Sequence, residues 1–192
     1  SISGATWQAG QSGTALNFGN PDTSAVAVPR SIIESLGNTV FAEAWIYPTA
    51  RSVAPHSASI FTKRGAYNDW YFVVDPTGHV CCGLSGAGGI NGVGVGACST
   101  ATVPLNQWSK VATSYDGATL RIHVNGLVDG SATQALVLDW DAPTCPGDQY
   151  YTDGCLYGIW IGATSTYSRT QVFPASGFKG IIDELRIGPL GP

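Results

Sequence analysis

The side chains of this sequence best suited to holding a ligand are aromatic rings set beside amides and carboxylates. Two runs stand out: Tyr67, Asn68, Asp69 and Trp70, and then Trp140, Asp141, Asp148, Gln149, Tyr150, Tyr151 and Asp153. A sugar ring presents a flat C–H face that stacks on an aromatic side chain, and hydroxyls that need polar partners. The second run is the richer. Stacking is expected on Trp140, Tyr150 and Tyr151 and hydrogen bonding to Asp148 and Gln149, with Tyr67 and Trp70 as a second contact. Its carboxylates favour a neutral or weakly basic ligand over a strongly anionic one. The alternative is that these aromatics cap the open end of the fold or bury themselves against a neighbouring subunit.

The other tryptophans sort differently. Trp7, Trp108 and Trp160 read as structural. Trp45 stays open, because its strand places Phe41, Glu43, Trp45 and Tyr47 on one face, either as a binding platform or beneath a loop.

No catalytic pattern emerges. A retaining glycosidase sets two carboxyls about 5–5.5 Å apart, which alternate residues of one strand supply. Asp183 and Glu184 are consecutive, so they point to opposite faces, and no Glu-x-Asp-x-Glu run exists. His56, His79 and His123 lie in unrelated segments with no nucleophile context. The chain is therefore expected not to be an enzyme.

Cysteine chemistry is more specific. Cys145 and Cys155 bracket a short loop with Pro146, Gly147 and Gly154, as a loop-closing disulfide would, which implies an oxidising compartment. Val80, Cys82 and Leu84 share the face expected to be core, so Cys81 points outward. On the partner strand Val93, Val95 and Ala97 form the apolar row, leaving Cys98 outward too. The expected bridge is Cys81–Cys98, with Cys82 a buried free thiol.

The elements that must position these residues are strands. Charged residues make up 11% of 192, glycine reaches 25 and methionine is absent. β-branched and aromatic residues come in short runs rather than helical stripes. Strands are predicted over 14–18, 24–28, 39–47, 58–63, 70–75, 79–84, 93–98, 108–115, 119–125, 156–163 and 178–187, with a brief helix at 31–36. Asp75-Pro76-Thr77-Gly78, Asp116-Gly117 and Asn125-Gly126 are tight-turn sequences, so neighbouring strands should pair as antiparallel hairpins. A net charge of −4 without a Lys/Arg cluster argues against nucleic acid. No stretch approaches the roughly 20 apolar residues of a membrane-inserting helix. The chain opens on Ser1 without an initiator Met and is expected to be a mature or excised piece of a secreted or cell-surface protein.

Four segments then resemble the laminin-G-like, concanavalin-A-like jelly roll in order and spacing. They are Thr14 to Gly19 with Val26 to Pro29; Phe41 to Pro48; Trp108 to Ala112 with Tyr115-Asp116-Gly117; and Phe178 to Ile187. The resemblance implies an all-β, two-sheet antiparallel jelly-roll sandwich, a frequent rim calcium and a role in binding glycans or proteins. Residues 1–192 are read as one domain, with a disulfide-held excursion at about 139–157. Asp183 is in phase with Ile181, Leu185 and Ile187, so a carboxylate sits where the core begins and needs a hydrogen-bonded partner or a cation. In the resembling family this aspartate approaches the loop after the first strand, which makes Asp22, Asp183 and Asn20 the expected ligands of a structural Ca²⁺. An Asx turn at Asp22, with Asp183 bound to an Arg or a backbone amide, is the alternative. The function expected is an extracellular carbohydrate-binding module. The competing one is an adhesive module that binds extracellular protein or self-associates into a fibre or surface layer.

Overall fold

The computed structural model describes residues 2–20, 23–33, 36–63, 70–86, 93–138, 140, 157–163 and 177–191. In chain order the first strands are β1 (Ile2–Ser3), β2 (Thr6–Ala9), β3 (Thr14–Phe18), β4 (Ala25–Pro29), β5 (Val40–Pro48), β6 (Ala58–Lys63) and β7 (Trp70–Val74). After them come β8 (His79–Ser85), β9 (Gly94–Thr102), β10 (Ser109–Tyr115), β11 (Thr119–Val124), β12 (Leu127–Thr133), β13 (Tyr157–Ile161) and β14 (Gly180–Pro189). They form two seven-stranded antiparallel sheets, ordered β1-β4-β13-β6-β7-β8-β9 and β12-β11-β10-β5-β14-β3-β2. The fold is a jelly-roll sandwich.

Each sheet is built by alternation. In β5, Val40, Ala42, Ala44 and Ile46 are buried while Phe41, Glu43, Trp45 and Tyr47 stay partly exposed. The same period-two pattern runs through β10 and β11. Between the sheets Phe18, Ile46, Phe72, Tyr115, Leu120 and Ile122 form one apolar core with Trp70. Tyr115 keeps its hydroxyl satisfied there by accepting from the Leu136 amide at 2.7 Å, with the Gln134 carbonyl at 2.8 Å. One lateral side of the sandwich is stitched across the sheets. Asp129 of β12 accepts from the Thr100 hydroxyl and, at 2.7 Å, from the Ala101 amide of β9.

Three strands depart from the sequence reading. β1, β2 and β12 are edge strands with largely exposed residues, so they lack the apolar alternation that marks a strand packed on a core. The expected helix is a single 3-10 turn at Arg30–Ile32.

The larger departure concerns Asp183. Ile182, opposite Ile46, faces the core, so Asp183, opposite Trp45, belongs to the outward row. A bulge between Asp183 and Arg186 then resets the phase, with Glu184 at φ 48°, and returns Ile187 to the core side opposite Ala42. The even phasing of Ile181, Asp183, Leu185 and Ile187 is thus corrected by one inserted residue.

Candidate functional site

Of the loop-borne residues expected to hold a ligand, Trp70 and Trp140 lie among the described ones, and both are buried. Trp70 is fully buried on β7, and Trp140 is 5% exposed. The two indoles pack 5.7 Å apart, Nε1 of Trp140 donates to the Gly37 carbonyl at 2.9 Å, and the Lys63 ammonium lies 5.7 Å from the Trp140 ring. Both were expected to face a ligand. Instead they are part of the buried core, because a large ring gains more from burial than from solvent once a distant carbonyl can satisfy its N–H. Tyr67, Asp148, Gln149, Tyr150 and Tyr151 lie outside the described residues, as do Cys145 and Cys155.

Of the expected calcium ligands, Asn20 and Asp183 lie among the described residues. Asp183 is 4% exposed, and each of its carboxylate oxygens accepts a backbone hydrogen bond. Oδ2 accepts from the Ser12 amide and Oδ1 from the Glu184 amide, each at 2.9 Å. Asn20 follows the end of β3, where its carbonyl accepts from the Thr23 and Ser24 amides. Asp22 lies outside the described residues. The carboxylate is balanced by the β2–β3 turn folding onto it, which Gly10 permits: a Cβ there would stand 2.4 Å from Oδ2.

On the first sheet Cys81 and Cys98 form a disulfide, with S–S 2.04 Å across the β8–β9 pair. Cys82 is a buried thiol whose pKa burial pushes up to about 12. Two residues along the same outward row, Gly83 pairs with Gly96. The Tyr71 ring lies over them, and a Cβ on Gly83 would stand 2.3 Å from it.

The outward face of the second sheet carries the densest polar chemistry among the described residues. Register places three rows across it: Arg121, Ser114, Phe41 and Gly188; His123, Ala112, Glu43 and Arg186; and Lys110, Trp45 and Asp183. Glu43 lies between two cations, 3.0 Å from Lys110 Nζ and 3.7 Å from Arg186 Nη1. Arg186 also reaches Glu184 at 3.1 Å, and Arg121 pairs with Asp116. His123 Nε2 lies 3.3 Å from Ser114 Oγ. Burial, and then the Arg121 charge, lower the pKa of its imidazole, so the ring is neutral at pH 7.

Because Ala112 and Ser114 are small, the sheet surface dips between these groups. The hollow is about 320 Å³ and is lined by Phe41, Glu43, Lys110, Ala112, Ser114 and His123, with Gly126 and Leu190 at its rim. Trp45 stands beside it, and beyond Trp45 the rings of Tyr47 and Trp108 pack 5.4 Å apart. Such a site can stack a ring and bond its hydroxyls. It holds one carboxylate clamped by two cations rather than a pair set for acid–base work. The Phe41 row was legible as a possible platform from alternation, but its partners on β10, β11 and β14 come from register alone.

Known structures share this fold at low sequence identity. Domain 4 of AbnA, an extracellular GH43 arabinanase of Geobacillus stearothermophilus solved with arabinotriose, matches with TM-score 0.63 at 18% identity, covering 98% of this chain and 77% of that one. The CBM40 of Ruminococcus gnavus IT-sialidase bound to alpha2,3 sialyllactose matches with TM-score 0.66 at 13% identity, covering 92% and 91%. Domains LG4-5 of the mouse laminin alpha1 chain match with TM-score 0.58 at 13% identity, covering 86% of this chain and 38% of that one. No curated protein sequence matches the chain significantly. The sequence model of one family does match, over residues 18–189, from β3 to the last residue of β14, and by it the chain belongs to the concanavalin A-like lectin/glucanases superfamily.

Proposed function

We propose that the chain is a non-catalytic carbohydrate-binding module of a secreted or cell-surface protein, folded as one domain over residues 1–192, and that it binds glycan on the outward face of the second sheet. The observation that carries this is the hollow itself. Phe41 and Trp45 offer aromatic faces, while Glu43, Lys110, Ser114 and His123 supply donors and acceptors on the same open surface. Aromatic stacking with a few convergent polar groups is what a sugar requires. The reading draws further support from two proteins of this fold, solved with arabinotriose and with sialyllactose.

A glycan array followed by calorimetry tests it. Wild type binds at least one oligosaccharide, and Phe41→Ala and Trp45→Ala each weaken that binding by about tenfold or more, equivalent to about 1.4 kcal/mol. Hydrolysis of a bound glycan that is lost in Glu43→Ala would show an enzyme instead.

The second reading, self-association, has one observation in its favour. Trp7 is 64% exposed on β2, the terminal strand of its sheet. Terminal strands invite pairing with another chain. Light scattering that shows oligomers in wild type and monomers in Trp7→Ser would favour this reading over glycan binding as the main role.

A further inference from the structure

Resting on that carbohydrate-binding reading, we infer that the ligand is an uncharged oligosaccharide, seated with one sugar over Ala112 beside Phe41 and continuing past Glu43 onto Trp45. The floor position follows from side-chain size. Ala112 is the small residue at the centre of the hollow, flanked in its row by His123 and Glu43. Ser114 on one side of Phe41 and Gly188 on the other leave that ring accessible at its edges.

Direction follows from β5. Phe41 and Trp45 lie four residues apart on one strand face, roughly 14 Å at the usual rise, which is beyond the reach of a single sugar ring. A chain of sugars can engage both rings, whereas a monosaccharide engages one.

Charge selects the class. Each cation of the face already has a carboxylate: Lys110 has Glu43, Arg186 has Glu43 and Glu184, and Arg121 has Asp116. Among the described residues of this face no positive charge is left over for an acidic sugar, and the whole chain carries −4. A uronic acid in the hollow would face Glu43 across a partly desolvated gap, where like charges repel. Neutral hydroxyls meet no such penalty. They can use the lone pairs on Glu43 that its two cations leave open, and the Ser114 hydroxyl.

The test uses the whole chain with neutral arabino-, xylo-, cello- and manno-oligosaccharides of one to six units, and with oligogalacturonides as acidic probes. Expected is binding of at least one neutral series, with affinity rising about tenfold or more from monomer to trimer. Oligogalacturonides should bind at least about tenfold more weakly. The variant Ala112→Trp fills the hollow from the solvent side without touching the core. It should cut neutral-glycan binding at least about tenfold while leaving the melting temperature near that of wild type. Equal affinity for monomer and trimer, preference for the acidic series, or wild-type binding by Ala112→Trp overturns this inference and leaves carbohydrate binding standing. If no probe of either kind binds, carbohydrate binding itself falls, and the inference with it. Should Ala112→Trp misfold, Ala112→Leu gives the same steric readout.

Discussion

Tyr71 on the first sheet and Phe41 on the second occupy comparable places: each is an aromatic on an outward row with a glycine as its cross-strand neighbour. Their surroundings differ. Tyr71 lies down over Gly83, where a Cβ would stand 2.3 Å from its ring, and Cys81, Gly83 and every residue of β6 are buried, although alternation should leave some of them facing outward. A Cβ on Gly188 would stand 3.1 Å from the edge of the Phe41 ring, which looks onto partly exposed charged residues. The first sheet's outward surface is covered at β6, Cys81 and Gly83 and is tied by a covalent bridge. The second sheet's is open and held by ion pairs. An alternating strand therefore defines two faces without deciding that one of them is wet.

The contrast can be broken most severely at the disulfide. Cys81 and Cys98 are 17 residues apart, and closing a loop of that size contributes about 3 kcal/mol in the chain-entropy model. A double Cys81→Ser, Cys98→Ser variant should lose about that much in denaturant unfolding. Unchanged stability would show that the bridge is dispensable. In the native wild type, Cys82 should stay unreactive toward thiol reagents until unfolding, since it is buried with a pKa pushed up to about 12.

Next in size is the buried carboxylate on the second sheet. Replacing Asp183 by Ala leaves the Ser12 and Glu184 amides without their acceptor and removes what holds the β2–β3 turn against β14. The expected cost is about 1–3 kcal/mol, measured by chemical denaturation, with the same value in calcium or EDTA. A loss that appears only in calcium would mean that the side chain binds an ion after all.

The smallest effect sharpens the comparison on the second sheet where Arg121, opposite Ser114, meets Asp116. Hydrogen bonds from Arg121, and then from the Thr119 and Ala118 amides, hold the Asp116 carboxyl at about 2. A folded value below the unfolded one means that its stabilisation is complete above the ordinary carboxylate value of about 4 and is lost as pH falls through about 2. The stability gap between wild type and Asp116→Asn should therefore be constant from neutral pH to about 5 and close toward pH 2. Solvent screening keeps it modest, because both partners are more than a third exposed. A gap that widens on acidification would refute the assignment.

Much of the architecture was legible because alternation and turn chemistry are local. Thr14–Phe18 and Ala58–Lys63 begin and end where their residue patterns do, and the tight turn at Asn125-Gly126 has both residues at positive φ. Parity along β8 and β9 put Cys81 and Cys98 on one face and Cys82 on the other, and the structure joins the first two. The sheet edges β1, β2 and β12 left little trace, since a strand that buries little need not alternate.

What the sequence alone determined is the strands packed on the core, the hairpin turns between them and, short of a bulge, which residues share a face, since each depends on neighbours a few positions away. Tertiary structure decided the rest. Trp140 is buried because the carbonyl of Gly37, 103 residues distant, accepts its N–H and Trp70 receives its ring. Asp183 is satisfied by Ser12, 171 residues away, after a bulge shifted the phase of the last strand. The hollow exists only where β5, β10 and β11 bring Phe41, Glu43, Ala112 and His123 side by side. Local periodicity assigns a side chain to one face of its strand, but its exposure and partners depend on distant segments whose packing no local pattern encodes.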